Sequence, residues 1–135
     1  MRKNEEKMYS YVYLEKELTP SYRKEINLRK HANEVADVFI ETSFKLLQAL
    51  DETVVAKDME RIIFTPSKEK KYELASPLRD KFEEKLKNSD LDAILSRFAQ
   101  DAFKWYERIR KRDEDNEYIN RTGRSEIGRG DVNGK

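Results

Sequence analysis

Apolar residues recur along this chain at helical intervals. From Leu28 the positions Leu28, Ala32, Val35, Ala36, Phe39, Leu46 and Leu50 follow one another mostly at steps of three, four or seven. Ile40, Phe44 and Leu47 widen that stripe in its second half. This is the repeat of an α-helix with one broad buried face. Thr19-Pro20 stands before it, and a hydroxyl N-cap followed by proline is a helix-start signal. The spacing therefore predicts one long helix from Pro20 to Leu50.

A second stripe comprises Leu91, Ile94, Leu95, Phe98, Ala102, Trp105, Tyr106 and Ile109. Ser89 and Asp92 imitate a capping box at its start. The stripe stops after Ile109, so the helix is expected to run from Asp90 to about Arg112. A shorter helix, Pro77 to Leu86, is predicted from Leu78, Phe82 and Leu86 at successive i+4 positions behind Ser76-Pro77.

Two segments read both ways. Tyr9-Ser10-Tyr11-Val12-Tyr13 alternates like a strand, yet Tyr11, Leu14 and Leu18 fit a helix. A lone N-terminal strand would need a partner, so a helix over Met8 to Leu18 is favoured. Arg61 to Thr65 and Lys71 to Ala75 fit a hairpin across Pro66 to Lys70. Helices over Val54 to Phe64 and Ser67 to Leu74 are the favoured alternative. All four glycines lie beyond Glu117 in a stretch almost without apolar residues, so residues 117–135 are expected to be a disordered tail.

The expectation is an all-α fold: an up-and-down helical bundle of four to five helices over residues 1–116. Its predicted core is Val35, Phe39, Leu46, Leu50, Ile62, Phe82, Ile94, Phe98, Ala102 and Tyr106.

Composition narrows this picture. Of 135 residues, 41% are charged and 37% hydrophobic, so the fold depends on concentrating few apolar side chains on one face of each helix. The 28 basic and 27 acidic residues leave a net charge of +1, so binding to nucleic acid needs a local patch. Cysteine is absent, which removes disulfides and thiolate chemistry and fits a cytoplasmic protein. No apolar run approaches a membrane span, and no apolar region follows the basic N-terminus as in a signal peptide.

Candidate chemistry is sparse. His31 is the single histidine, with Glu34 at i+3, and reads most simply as a surface residue. Glu34-Val35-Ala36-Asp37 puts two carboxylates on one helix face, with Glu41 one turn further, and oxygen ligands suit Mg²⁺. In Asn33-Glu34-Val35-Ala36-Asp37-Val38-Phe39-Ile40 this tetrad resembles the second metal motif of MazG-like nucleotide pyrophosphohydrolases. The resemblance implies an all-α Mg²⁺-dependent enzyme acting on nucleoside triphosphates, with Glu34 and Asp37 as metal ligands. That family also carries an earlier Glu-Glu-x-x-Glu motif, which neither Glu5-Glu6 nor Glu15-Lys16-Glu17 completes here.

Lys104, Arg108, Lys111 and Arg112 follow one side of the last helix beside Trp105 and Tyr106. Arginines clamp phosphate and aromatics stack on bases, so these residues make a candidate nucleic-acid surface. Arg23, Lys24, Arg29 and Lys30 would extend it if the helices were neighbours. A winged helix does not fit, because too few residues separate Leu50 from Lys71. No glycine precedes residue 123, so there is no phosphate loop.

The favoured reading is a non-enzymatic helical interaction module: an adaptor, regulatory or inhibitory subunit, without cofactor, binding another protein or itself. Tyr9, Tyr11, Tyr13, Trp105 and Tyr106 are its candidate contacts, since Tyr and Trp are frequent interface anchors. The Mg²⁺ pyrophosphohydrolase and the nucleic-acid binder are the alternatives.

Overall fold

The structure, a computed structural model, describes residues 10–122, with side chains through residue 115. Its elements are α1 (Val12–Asn27), α2 (Ala32–Leu50), a 3₁₀ helix (Ala56–Arg61), β1 (Ile62–Phe64), β2 (Tyr72–Leu74), α3 (Leu78–Asn88) and α4 (Leu91–Thr122). Among the described residues it is a mostly helical bundle with one small two-stranded sheet. None of the described helices is long and apolar enough to cross a membrane.

Helices α1, α2 and α4 form the body. The Tyr11 amide donates to Asp90 Oδ1 at 2.8 Å, joining the starts of α1 and α4. At the other end Arg112 Nη2 donates to the Lys30 carbonyl at 3.0 Å. Helices α1 and α4 therefore run in the same direction, and α2 returns between them. Between these ends Arg97 clamps Glu15 through Nε and Nη2 at 2.8 and 2.7 Å. The planar guanidinium fits two carboxylate oxygens at once, which fixes register better than a single contact.

The predicted single helix from Pro20 to Leu50 is in fact two. Pro20 lies inside α1, not at a helix start, and the break falls at Leu28 to His31. Proline leaves the Lys16 carbonyl without its intrahelical donor. Thr19 is not a cap either; its Oγ1 donates back to the Glu15 carbonyl at 2.6 Å. A continuous helix of that length would carry Tyr22 and Ile26 far from the other apolar faces. Breaking it folds α1 back, and both residues become 1% exposed. The Tyr22 hydroxyl donates to the Phe98 carbonyl, and its ring meets Phe98 edge-on at 4.8 Å. Burial first, then the Asp101 charge, push that phenol well above its ordinary pKa.

The hairpin, not the favoured pair of helices, occupies 61–75. β1 and β2 pair antiparallel with Ile63 opposite Glu73. Ile62, Tyr72 and Leu74 are buried while Ile63 and Glu73 point outward, the period-2 burial of a half-covered strand. Charged residues close the connection. Lys71 Nζ donates to the Pro66 and Lys68 carbonyls at 3.1 and 2.6 Å and lies 4.0 Å from the Phe103 ring centre. Phe64 then packs beside Phe39 and Tyr106, with ring centres 5.8 and 5.5 Å away.

Ser89 caps the Leu91 amide at 3.1 Å, but Asp92 does not complete a capping box. It accepts from the Tyr72 hydroxyl and from Lys70 Nζ, the latter at 3.0 Å, and so ties the hairpin to the first turn of α4. Helix α4 also continues past the expected stop. Residues 117–122, assigned to the tail, are helical; the rest of that segment lies outside the described residues.

Val35, Phe39, Leu46, Ile62, Phe82, Ile94, Phe98 and Ala102 are buried as expected. Leu50 and Tyr106 are only partly buried and lie at the margin of the core. Among the described residues Ser43 Oγ, which is buried, has no hydrogen-bond partner.

Candidate interaction cleft

Parallel packing of α1 and α4 leaves a cleft toward the His31 end of the body. Tyr22, Arg23, Ile26 and Asn27 of α1 line one side, and Asp101, Lys104, Trp105 and Arg108 of α4 the other. Its volume is about 190 Å³. Tyr22 and Ile26 give it an apolar floor because the chain break beyond them turned that face inward.

Trp105 is half-buried against this floor, and the Arg108 guanidinium stacks over its indole at 4.5 Å. Weakly hydrated arginine on an aromatic face is a favourable cation–π pair. Arg23 reaches Asp101 at 3.9 Å, but its side chain is 68% exposed, so this pair contributes little. Among the described residues Lys104, Arg108 and Lys111 have no ion-pair partner. Arg112 divides its guanidinium between the Lys30 carbonyl and Asp113 Oδ1, the latter at 4.0 Å. Lys104, Arg108 and Lys111 are exposed along α4, as are Arg23 of α1 and Lys30 of the α1–α2 connection.

The expected aromatic contacts are not one surface. Trp105 belongs to the cleft. Tyr106, the next residue on the helix, turns toward the hairpin and meets the Phe64 ring edge-on. Tyr11 is half-buried at the opposite end of α1 near Asp90, while Tyr13 is 62% exposed there. Tyr9 lies outside the described residues. The parallel run of α1 and α4 separates Tyr11 and Tyr13 from Trp105 by nearly the length of α1.

Glu34 and Asp37 sit near the start of α2, the first half-buried and the second exposed. Among the described residues no group of three or more His, Asp or Glu side chains converges to hold a metal ion. Two carboxylates one turn apart fall short of the octahedral oxygen shell that Mg²⁺ demands. The described residues do not build that site. His31 occupies the N-cap position of α2 with extended backbone, exposed and without a side-chain cap bond.

Comparison of the chain with models of known protein families, with curated proteins and with solved structures finds no match in any of the three.

Proposed function

We propose that this chain is a non-enzymatic helical interaction module whose α1–α4 cleft docks an acidic segment of a protein partner. One observation carries the reading: Trp105 and Arg108 form a stacked pair over the buried face of Tyr22 and Ile26, flanked by Lys104 and Lys111 without ion-pair partners among the described residues. Apolar floor, aromatic anchor and cationic rim are the anatomy of a small protein-binding patch. At about 190 Å³ the cleft is below the roughly 300–1,000 Å³ of small-molecule pockets, so it suits inserted side chains better than a whole metabolite.

In this reading the protein acts as a cytoplasmic adaptor, regulatory or inhibitory subunit. The acidic segment comes from another protein or from a second copy, whose Asp113-Glu114-Asp115 run has the right charge. Light scattering across a concentration range separates the two cases.

A second reading rests on the same cations, which would follow a nucleic-acid backbone. Arg108 already covers one face of the Trp105 ring, which weighs against base stacking there. Fluorescence anisotropy with a labelled Glu/Leu-rich peptide and with a labelled dT oligonucleotide decides between them. The proposal expects the peptide to bind and Lys104→Glu/Arg108→Glu to abolish it. Oligonucleotide binding that falls steeply with salt, with none for the peptide, favours the second reading.

A further inference from the structure

A second groove shares no lining residue with the cleft just described, and one of its walls is strand backbone. The bonds Ala75 N–H to the Arg61 carbonyl and Thr65 N–H to the Lys71 carbonyl, each 2.8 Å, make 61/75 and 65/71 hydrogen-bonded pairs of the hairpin. Antiparallel pairs alternate, so 63/73 is the third such pair, and 62/74 and 64/72 are non-hydrogen-bonded pairs. The N–H and C=O groups of Tyr72 and Leu74 therefore point away from β1, and no described residue pairs with them. Beside that edge runs a groove of about 590 Å³, lined by Tyr72, Glu73 and Leu74 on one side and by Arg79, Glu83 and Leu86 of α3 on the other.

Charge in the groove is uneven in a simple way. Each of its three carboxylates has a cation already: Glu73 has Lys68 at 3.5 Å, Glu83 has Lys87 at 3.8 Å, and Asp92 has Lys70 at 3.0 Å. Arg79 also lines the groove and has no ion pair among the described residues. The unpaired charge is thus one guanidinium, set opposite an open strand edge.

We infer that this groove receives an extended peptide of another protein, which adds as a third strand beside β2 and places an acidic side chain on Arg79. The backbone of the peptide would bond the Tyr72 and Leu74 amides and carbonyls, which is strand addition to a sheet edge. Side chains on one face of the peptide would lie over Leu86. The site is separate from the α1–α4 cleft and does not depend on it.

The test uses the full chain labelled with ¹⁵N and the synthetic probe acetyl-Thr-Val-Glu-Val-Thr-amide, whose β-branched residues favour the extended state. The expected result is saturable shifts of the Tyr72 and Leu74 amides with intermolecular backbone Overhauser contacts at both. A probe N-methylated on its two valines loses those contacts. Arg79→Gln weakens binding of the Glu probe about tenfold and leaves a Gln-substituted probe unchanged, the size expected for one charge-assisted hydrogen bond. Absence of Overhauser contacts at millimolar probe would overturn the inference, as would equal binding of the N-methylated probe. Backbone contacts from Tyr72 and Leu74 to the chain's own N-terminal segment or to a second copy, seen before any probe is added, would overturn it too.

Discussion

Single residues decide more here than their types suggest. Asp92 is a case where opposing effects must be weighed. Burial disfavours its charge, but hydrogen bonds from Tyr72 and Lys70 and the Lys70 charge outweigh that, and its carboxyl sits below the ordinary value. A depressed folded pKa means stability that is present above the unfolded value of about 4 and is lost as pH falls through the folded one. The stability difference between the wild type and Asp92→Asn should therefore be constant near neutrality and shrink in acid; urea melts from pH 7 to pH 2 measure it, and a difference that widens in acid contradicts the assignment. Ser43 makes the opposite case. Its buried hydroxyl has no partner, so Ser43→Ala should be neutral or stabilising by up to about 1–2 kcal/mol in the same melts. Phe98→Ala should cost about 3–5 kcal/mol, since the ring is 2% exposed and Tyr22 packs on it. Periodicity made Phe98 legible in the sequence. Tyr22 was not, because its neighbours Ser21, Arg23 and Lys24 are polar and its partner stands 76 positions away.

At the scale of elements, the helices most strongly patterned in sequence are the ones that formed: α2, α3 and α4 follow their stripes. Boundaries failed where a tertiary contact overrode a local signal. Thr19-Pro20 has the chemistry of a helix start, but folding α1 against α4 buries Tyr22 and Ile26 and outweighs the lost backbone bond. Pro20→Ala should restore that bond and raise stability by about 1–3 kcal/mol, read as a shift in the urea midpoint at constant slope. An unchanged midpoint would mean that the helix had already relaxed around the proline. The hairpin was hidden for another reason. Ile62-Ile63-Phe64 has no polar alternation, and the lysines that close its loop look like solvated charge until Lys71 is seen between two carbonyls and the Phe103 ring. Helix α4 outran its stripe because charge replaces burial there: Arg110 bridges Glu107 and Glu114 at 3.1 and 2.9 Å along its exposed side.

For the whole molecule, the basic side of α4 was legible in the sequence, whereas the cleft was not. Lys104, Arg108, Lys111 and Arg112 stand out by spacing alone. The apolar floor comes from α1, whose direction relative to α4 depends on Tyr11 meeting Asp90, Glu15 meeting Arg97 and Lys30 meeting Arg112. No local pattern encodes those pairings. The same topology divides Tyr11 and Tyr13 from Trp105, so an interface read from aromatic content alone would have been drawn across two ends of the bundle. Because the chain has one tryptophan and it sits in the cleft, its fluorescence reports on that site directly. Titrating the protein with an unlabelled Glu/Leu-rich peptide should give a saturable change in Trp105 emission that Lys104→Glu removes, with circular dichroism showing that variant still folded. Peptide binding that leaves Trp105 emission untouched, or that persists in folded Lys104→Glu, would contradict the account.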